Sequence, residues 1–124
     1  MAAILDCVFV GAGGALGAIC RYLLGLVPVR QTVDFPLTTL GINLAGAFCI
    51  GLLAALAGKR ADLDPRLLLF LKVGVCGGFT TFSTFSLESA QLLQSGRTAA
   101  CVLYIALSVL LCVSAALGAQ ALVR

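Results

Sequence analysis

Asn43 lies about eight residues into an apolar run, in Thr38-Thr39-Leu40-Gly41-Ile42-Asn43-Leu44-Ala45-Gly46. Its amide brings two donor hydrogens and one acceptor oxygen into surroundings that leave no such group unpaired. Two uses fit: a hydrogen bond between helices, or a place on an ion path. A second run, Gly74-Val75-Cys76-Gly77-Gly78-Phe79-Thr80-Thr81-Phe82-Ser83-Thr84-Phe85, sets three glycines within five residues ahead of hydroxyls and rings. Each glycine costs a helix about 1 kcal/mol against alanine, and the threonines are poor helix formers. The run therefore predicts a helix break near Gly77 to Thr80. Carbonyls freed by such a break are ligands for a hard cation such as Na⁺. Past it, Phe82 and Phe85 are three apart and share a helix face, beside the hydroxyls of Ser83 and Thr84. A ring is positive at its edge, so the pair can attract an anion, or simply pack. Tyr104 and Ser108, four apart, add two hydroxyls on one face of a later run.

The elements that position these groups follow from composition. Of 124 residues, 61% are hydrophobic and 10% charged, against about 25% charged in soluble domains. That excludes a soluble enzyme and a disordered chain. One membrane span takes about 20 apolar residues, and four occupy nearly the whole length. The runs predict an all-α membrane protein, one four-span domain over 1–124. The spans are about 4–27 (ending at Pro28), 36–58, 66–93 and 98–123, with a charged loop at 59–66 and a turn at Gln94-Ser95-Gly96-Arg97. Met1-Ala2-Ala3-Ile4-Leu5-Asp6 lacks the positive start of a secretory signal and reads as the beginning of the first span. Histidine is absent, removing the commonest general base and metal ligand. The six cysteines form no CxxC pair and read as small packing residues. A net charge of +3 without a basic cluster excludes nucleic acid as a partner.

Alternating spans put the N-terminus, the 59–66 loop and the C-terminus on one side, with Lys59, Arg60, Arg66 and Arg124. Arg30 and Arg97 lie on the other, with Arg21 close to it. Orientation follows the Lys/Arg imbalance, and four against three is little. The chain is thus suited to inserting both ways. Transporters often build their site between inverted repeats; this chain has none, and two oppositely oriented copies would supply that symmetry. Small residues four apart (Gly13/Gly17, Gly14/Ala18, Gly41/Ala45, Ala47/Gly51, Gly74/Gly78) favour close helix packing. Arg21 either snorkels to the headgroups or faces a watery vestibule, and Lys72 and Glu88 admit the same two readings.

Over nearly its full length the chain resembles the Fluc (CrcB) family of small fluoride channels. The matching elements are Gly13-Gly14-Ala15-Leu16-Gly17-Ala18 with Arg21-Tyr22, Asn43 within Gly41 to Gly46, and Gly77-Gly78-Phe79-Thr80-Thr81-Phe82-Ser83-Thr84-Phe85. The resemblance implies an antiparallel, dual-topology homodimer in the inner membrane. It would carry two pores that conduct F⁻ passively out of the cell. Phe82, Phe85 and Asn43 would line the pore, Ser83 and Thr84 form part of a hydroxyl track, and Tyr104 and Ser108 lie at the pore side. Arg21 would stand near the vestibule, and the backbone carbonyls of Gly77 and Thr80 from both copies would hold a structural Na⁺.

Two other functions are weaker fits. A small proton-coupled multidrug exporter needs an ionisable group deep in the membrane, but Asp6 and Glu88 lie near span ends. Tryptophan, suited to caging aromatic cations, is absent. A structural subunit would use the glycines and leave Asn43 and the Thr/Ser/Phe run without a role.

Overall fold

A computed structural model describes residues 2–27 and 35–123. Met1, Pro28, Arg30 and Arg124, used above for the first span's limits and the charge balance, lie outside the described residues. Among the described residues four helices are long and apolar enough to cross a membrane. They are α1 (Ala2–Gly25), α2 (Leu37–Lys59), a divided third span (Pro65–Gln94) and a last helix, Thr98–Val123. The third span consists of α3 (65–79) and α4 (Phe82–Gln94); the last helix is α5. Asp64 starts α3 by accepting from the Arg66 N–H at 2.9 Å, with Pro65 in the first turn, where a missing N–H costs nothing. The α4–α5 turn rests on Gly96, whose φ of +80° is a conformation glycine adopts freely.

Large apolar side chains face outward along every span: Ile4 is 68% exposed and Leu122 72%. In water this would drive aggregation; in lipid it is the expected outer face. Within, Leu40, Leu92, Cys101 and Tyr104 form a small buried cluster with Phe35, Phe85, Ala100 and Leu107 packed on it. The Asp6–Arg66 ion pair at 3.2 Å and a hydrogen bond from Lys59 to the Val123 carbonyl gather three segments at one end. These are the start of α1, the 59–66 loop and the end of α5, as alternating spans require.

α1 packs along α3, and α2 along α5; beyond the break, α4 leaves α1 and lies against α5. The glycines make the first contact possible. A Cβ on Gly74 would fall 2.8 Å from the Gly13 Cα, and one on Gly78 3.0 Å from the Gly14 Cα. The backbones touch. This corrects the placing of the break. Gly74, Gly77 and Gly78 are all helical, with π-wound turns over Leu69–Cys76. The chain extends only at Thr80 (φ −81°, ψ 157°) and Thr81 (φ −148°, ψ 116°). The break thus begins at the last residue of the expected interval and runs one beyond it. Glycine's helix penalty, largely one of backbone entropy and exposure, is offset where backbones pack this closely.

Gly78→Ala should therefore drive a methyl into the Gly14 backbone and cost about 1–3 kcal/mol, as overpacking does. Gly118→Ala, inside the last helix and with nothing within 4 Å of the new carbon, should leave the melting temperature unchanged or raise it, by alanine's helix propensity of up to about 1 kcal/mol. Equal thermal unfolding of the two variants would contradict this packing.

Candidate functional site

The break exposes polar backbone, and side chains from other helices take it up. Thr81 donates its N–H to Asn43 Oδ1 at 2.8 Å, and Asn43 Nδ2 donates to the Thr81 carbonyl at 3.1 Å. One amide thus replaces both ladder bonds of one residue and keeps one N–H to spare. Arg21 Nε, from α1, donates to the Gly78 carbonyl at 3.1 Å. Thr80 gives both its N–H (3.0 Å) and its hydroxyl (2.9 Å) to the Cys76 carbonyl, closing α3. Thr81 Oγ1 accepts from the Thr84 N–H at 3.1 Å, which starts α4 as an N-cap.

Three carbonyls are left out. The donor one turn on from Gly77 is the Thr81 N–H, taken by Asn43, and the one for Thr80 is the Thr84 N–H, taken by Thr81 Oγ1; the Ser83 N–H, one turn on from Phe79, makes no bond back across the break. Outside the regular helical ladders, the hydrogen bonds among the described residues supply none of the three with a substitute, and of the three residues Gly77 and Thr80 line the groove described next. Hard oxygens of this kind suit a hard cation. Among the described residues no cluster of three His, Cys, Asp or Glu offers another metal site.

A groove of about 360 Å³ runs beside the break. Asn43, Gly77, Thr80, Phe82, Phe85 and Ser108 all line it, so six of the residues singled out above meet in one place. No charged side chain joins them. The rings of Phe82 and Phe85 lie 5.5 Å apart, tilted by 46°. Phe82 is 79% exposed at the outer margin. The Ser108 hydroxyl is buried and has no hydrogen-bond partner among the described residues, an arrangement that costs about 1–3 kcal/mol in a dry interior. Gly46 lies where a side chain would strike the Thr80 methyl, so the groove wall needs its small residue.

Four of the singled-out residues lie elsewhere. Thr84 and Arg21 line a separate cavity of about 250 Å³ with Thr38, Thr39 and Thr81. Ser83 is exposed, its hydroxyl 3.3 Å from Thr81 Oγ1. Tyr104 is fully buried between Phe85 (centroids 5.1 Å) and Phe35 (5.5 Å, edge-on). Its hydroxyl donates to Glu88 Oε1 at 3.0 Å, while Thr39 donates to Oε2 at 3.1 Å. The sequence leaves Glu88 open between snorkelling and a watery vestibule. It occupies a third cavity, about 370 Å³, with Gln91, Ser95 and Arg97. The hydroxyls that hold it stand 49 and 16 residues away, too far for any local spacing to reveal them.

Asn43→Ala strips both partners from Thr81 at once. We expect a loss of about 1–3 kcal/mol, from two half-buried backbone groups left bare, read as a lowered unfolding temperature. A variant as stable as the parent would show that the amide is dispensable to the break.

The sequence is also similar to known proteins. The family model described as CrcB-like protein, Camphor Resistance (CrcB), matches residues 8–119. The fluoride-specific ion channel FluC 1 of Nitrobacter hamburgensis is 46% identical over 116 residues, 93% of this chain and 92% of its own. The fluoride-specific ion channel FluC of Azobacteroides pseudotrichonymphae is 44% identical over 111 residues, 88% of this chain and 89% of its own. That of Agrobacterium fabrum is 39% identical over 121 residues, 97% of each. Matched by the family model over most of its length and 39–46% identical to these relatives, the four-span chain belongs to the CrcB family.

Proposed function

We propose that the chain forms a passive, fluoride-selective channel in the cell inner membrane, working as an antiparallel homodimer with two pores. The observation that carries this reading is the buried, unpartnered Ser108 hydroxyl, in a groove shared with Asn43 and the Phe82 and Phe85 rings. A small, strongly hydrated anion enters only where donors replace its water, and leaves only if none holds it too tightly. The spare N–H of Asn43, the Ser108 hydroxyl and the ring edges are all neutral, which suits both demands. A lysine among them would trap the ion, and a carboxylate would repel it. The relatives' names, fluoride-specific ion channel, support the choice of anion. This is transport chemistry; the chain is not an enzyme.

A second copy accounts for what one chain leaves open. Phe82 is 79% exposed, and a side chain at Gly77 would meet nothing within 4 Å. Near-equal Lys/Arg counts on the two sides suit opposite insertion. The Gly77 and Thr80 carbonyls of both copies would hold a structural Na⁺, whose charge offsets carbonyl dipoles gathered in a low dielectric. The Thr81 N–H and the Thr84 N–H, held by Asn43 and Thr81, keep those carbonyls unbonded. Arg21, Thr84, Tyr104 and the serine beyond the break, Ser83, would serve the approaches to the pore.

The test is F⁻ efflux from liposomes followed with an ion-selective electrode. F⁻ should leave protein-containing vesicles while Cl⁻ stays; no F⁻ efflux above protein-free vesicles would end the proposal. Phe82→Ile and Phe85→Ile keep apolar volume but lose the ring edges. Each should slow F⁻ flux about tenfold, the equivalent of ~1.4 kcal/mol in a barrier, with dimer elution unaltered. Full flux in both variants would reduce the rings to packing.

A further inference from the structure

We propose that Arg21 is a positioning residue: by holding the Gly78 carbonyl against α1, it keeps the third span broken in the register that leaves the Gly77 and Thr80 carbonyls at the groove. Gly13, Gly17 and Arg21 are spaced by four along α1 and form one ridge. Gly13 and Gly17 meet the α3 backbone directly; a Cβ on Gly17 would come within 2.8 Å of the Phe79 nitrogen. Arg21 continues that ridge to the end of α3, where the helix leaves its last carbonyls without ladder partners. A cation is favoured there by the helix dipole. Two of those carbonyls are already taken, Cys76 by Thr80 and Gly78 by Arg21, while Gly77 and Thr80 belong to the groove, which Cys76 also lines. Without the guanidinium, α3 could rotate or extend to satisfy Gly78, carrying the groove-side carbonyls with it. Arg21 therefore acts on the cation site through Gly78 rather than by drawing anions inward. The inference rests on the cation site proposed above, and its test separates the two.

The test uses the full-length protein in lipid nanodiscs: wild type, Arg21→Ala, Arg21→Lys and Arg66→Ala. The last removes the Asp6 pair at the far end of the α1–α3 contact without touching the break. Two quantities are read: the Na⁺ concentration giving half-maximal thermal stabilisation, with K⁺ as replacement, and amide hydrogen exchange over 79–84. Arg21→Ala should raise the Na⁺ midpoint at least tenfold and speed exchange over 79–84. Arg21→Lys, still able to donate one bond, should recover most of both. Arg66→Ala should lower the melting temperature and move neither. If Arg21→Ala cuts F⁻ flux with both readouts unchanged, Arg21 attracts anions and the proposal is wrong. Equal shifts in Arg66→Ala would also overturn it, as general loosening of the helix pair. If wild type shows no Na⁺ response, the cation reading fails and exchange decides alone. Acceleration confined to 79–84 upholds the Arg21 role, and unchanged exchange overturns it.

Discussion

Inside a bilayer a peptide group has no water to turn to, so any departure from helix must be matched by partners from the protein. The rest of this molecule is arranged around that constraint at Thr80–Thr81. Asn43 supplies a donor and an acceptor to a single residue, standing in for the helical ladder on both sides of Thr81. Arg21 and the Thr80 and Thr81 hydroxyls take up further groups beside it. Satisfied this way, the third span changes direction without unfolding. Its first half stays against α1 and its second half moves to α5.

The same bonds decide which groups remain available. Because Asn43 takes the Thr81 N–H and Thr81 takes the Thr84 N–H, the Gly77 and Thr80 carbonyls lose their ladder donors. Asn43 itself keeps one N–H free of the clamp, in a groove that also holds a serine hydroxyl without a partner among the described residues. Donors for an anion and acceptors for a cation thus arise side by side from one local departure from helix. The carboxylate of Glu88 is held outside the groove by Thr39 and Tyr104, which suits the anion path proposed there.

Much of this was legible in the sequence, and the reason is lipid. Runs of about 20 apolar residues leave little doubt about spans, and Asn43 is conspicuous because it is a lone amide in such a run. The location of the break was less legible. Three glycines point to 77–80, yet Gly74 and Gly78 serve the contact with α1, and the extended residues are Thr80 and Thr81. Local propensity does not report a partner 38 residues away. Arg21 was visible as a misplaced charge, but its acceptor is a backbone carbonyl 57 residues on, which has no side-chain signature. Glu88 and Tyr104 were each noticed, and their hydrogen bond was not, since it needs the α4–α5 packing to exist.

Because Asn43 is the sole asparagine in the sequence, its amide can be labelled alone. Solid-state NMR of the protein in bilayers, with ¹⁵N asparagine and ¹³C-carbonyl threonine, reads the clamp directly. The account predicts a through-space correlation between the Asn43 side-chain nitrogen and the Thr81 carbonyl, from an amide held in one orientation. A freely reorienting amide without that correlation would contradict it.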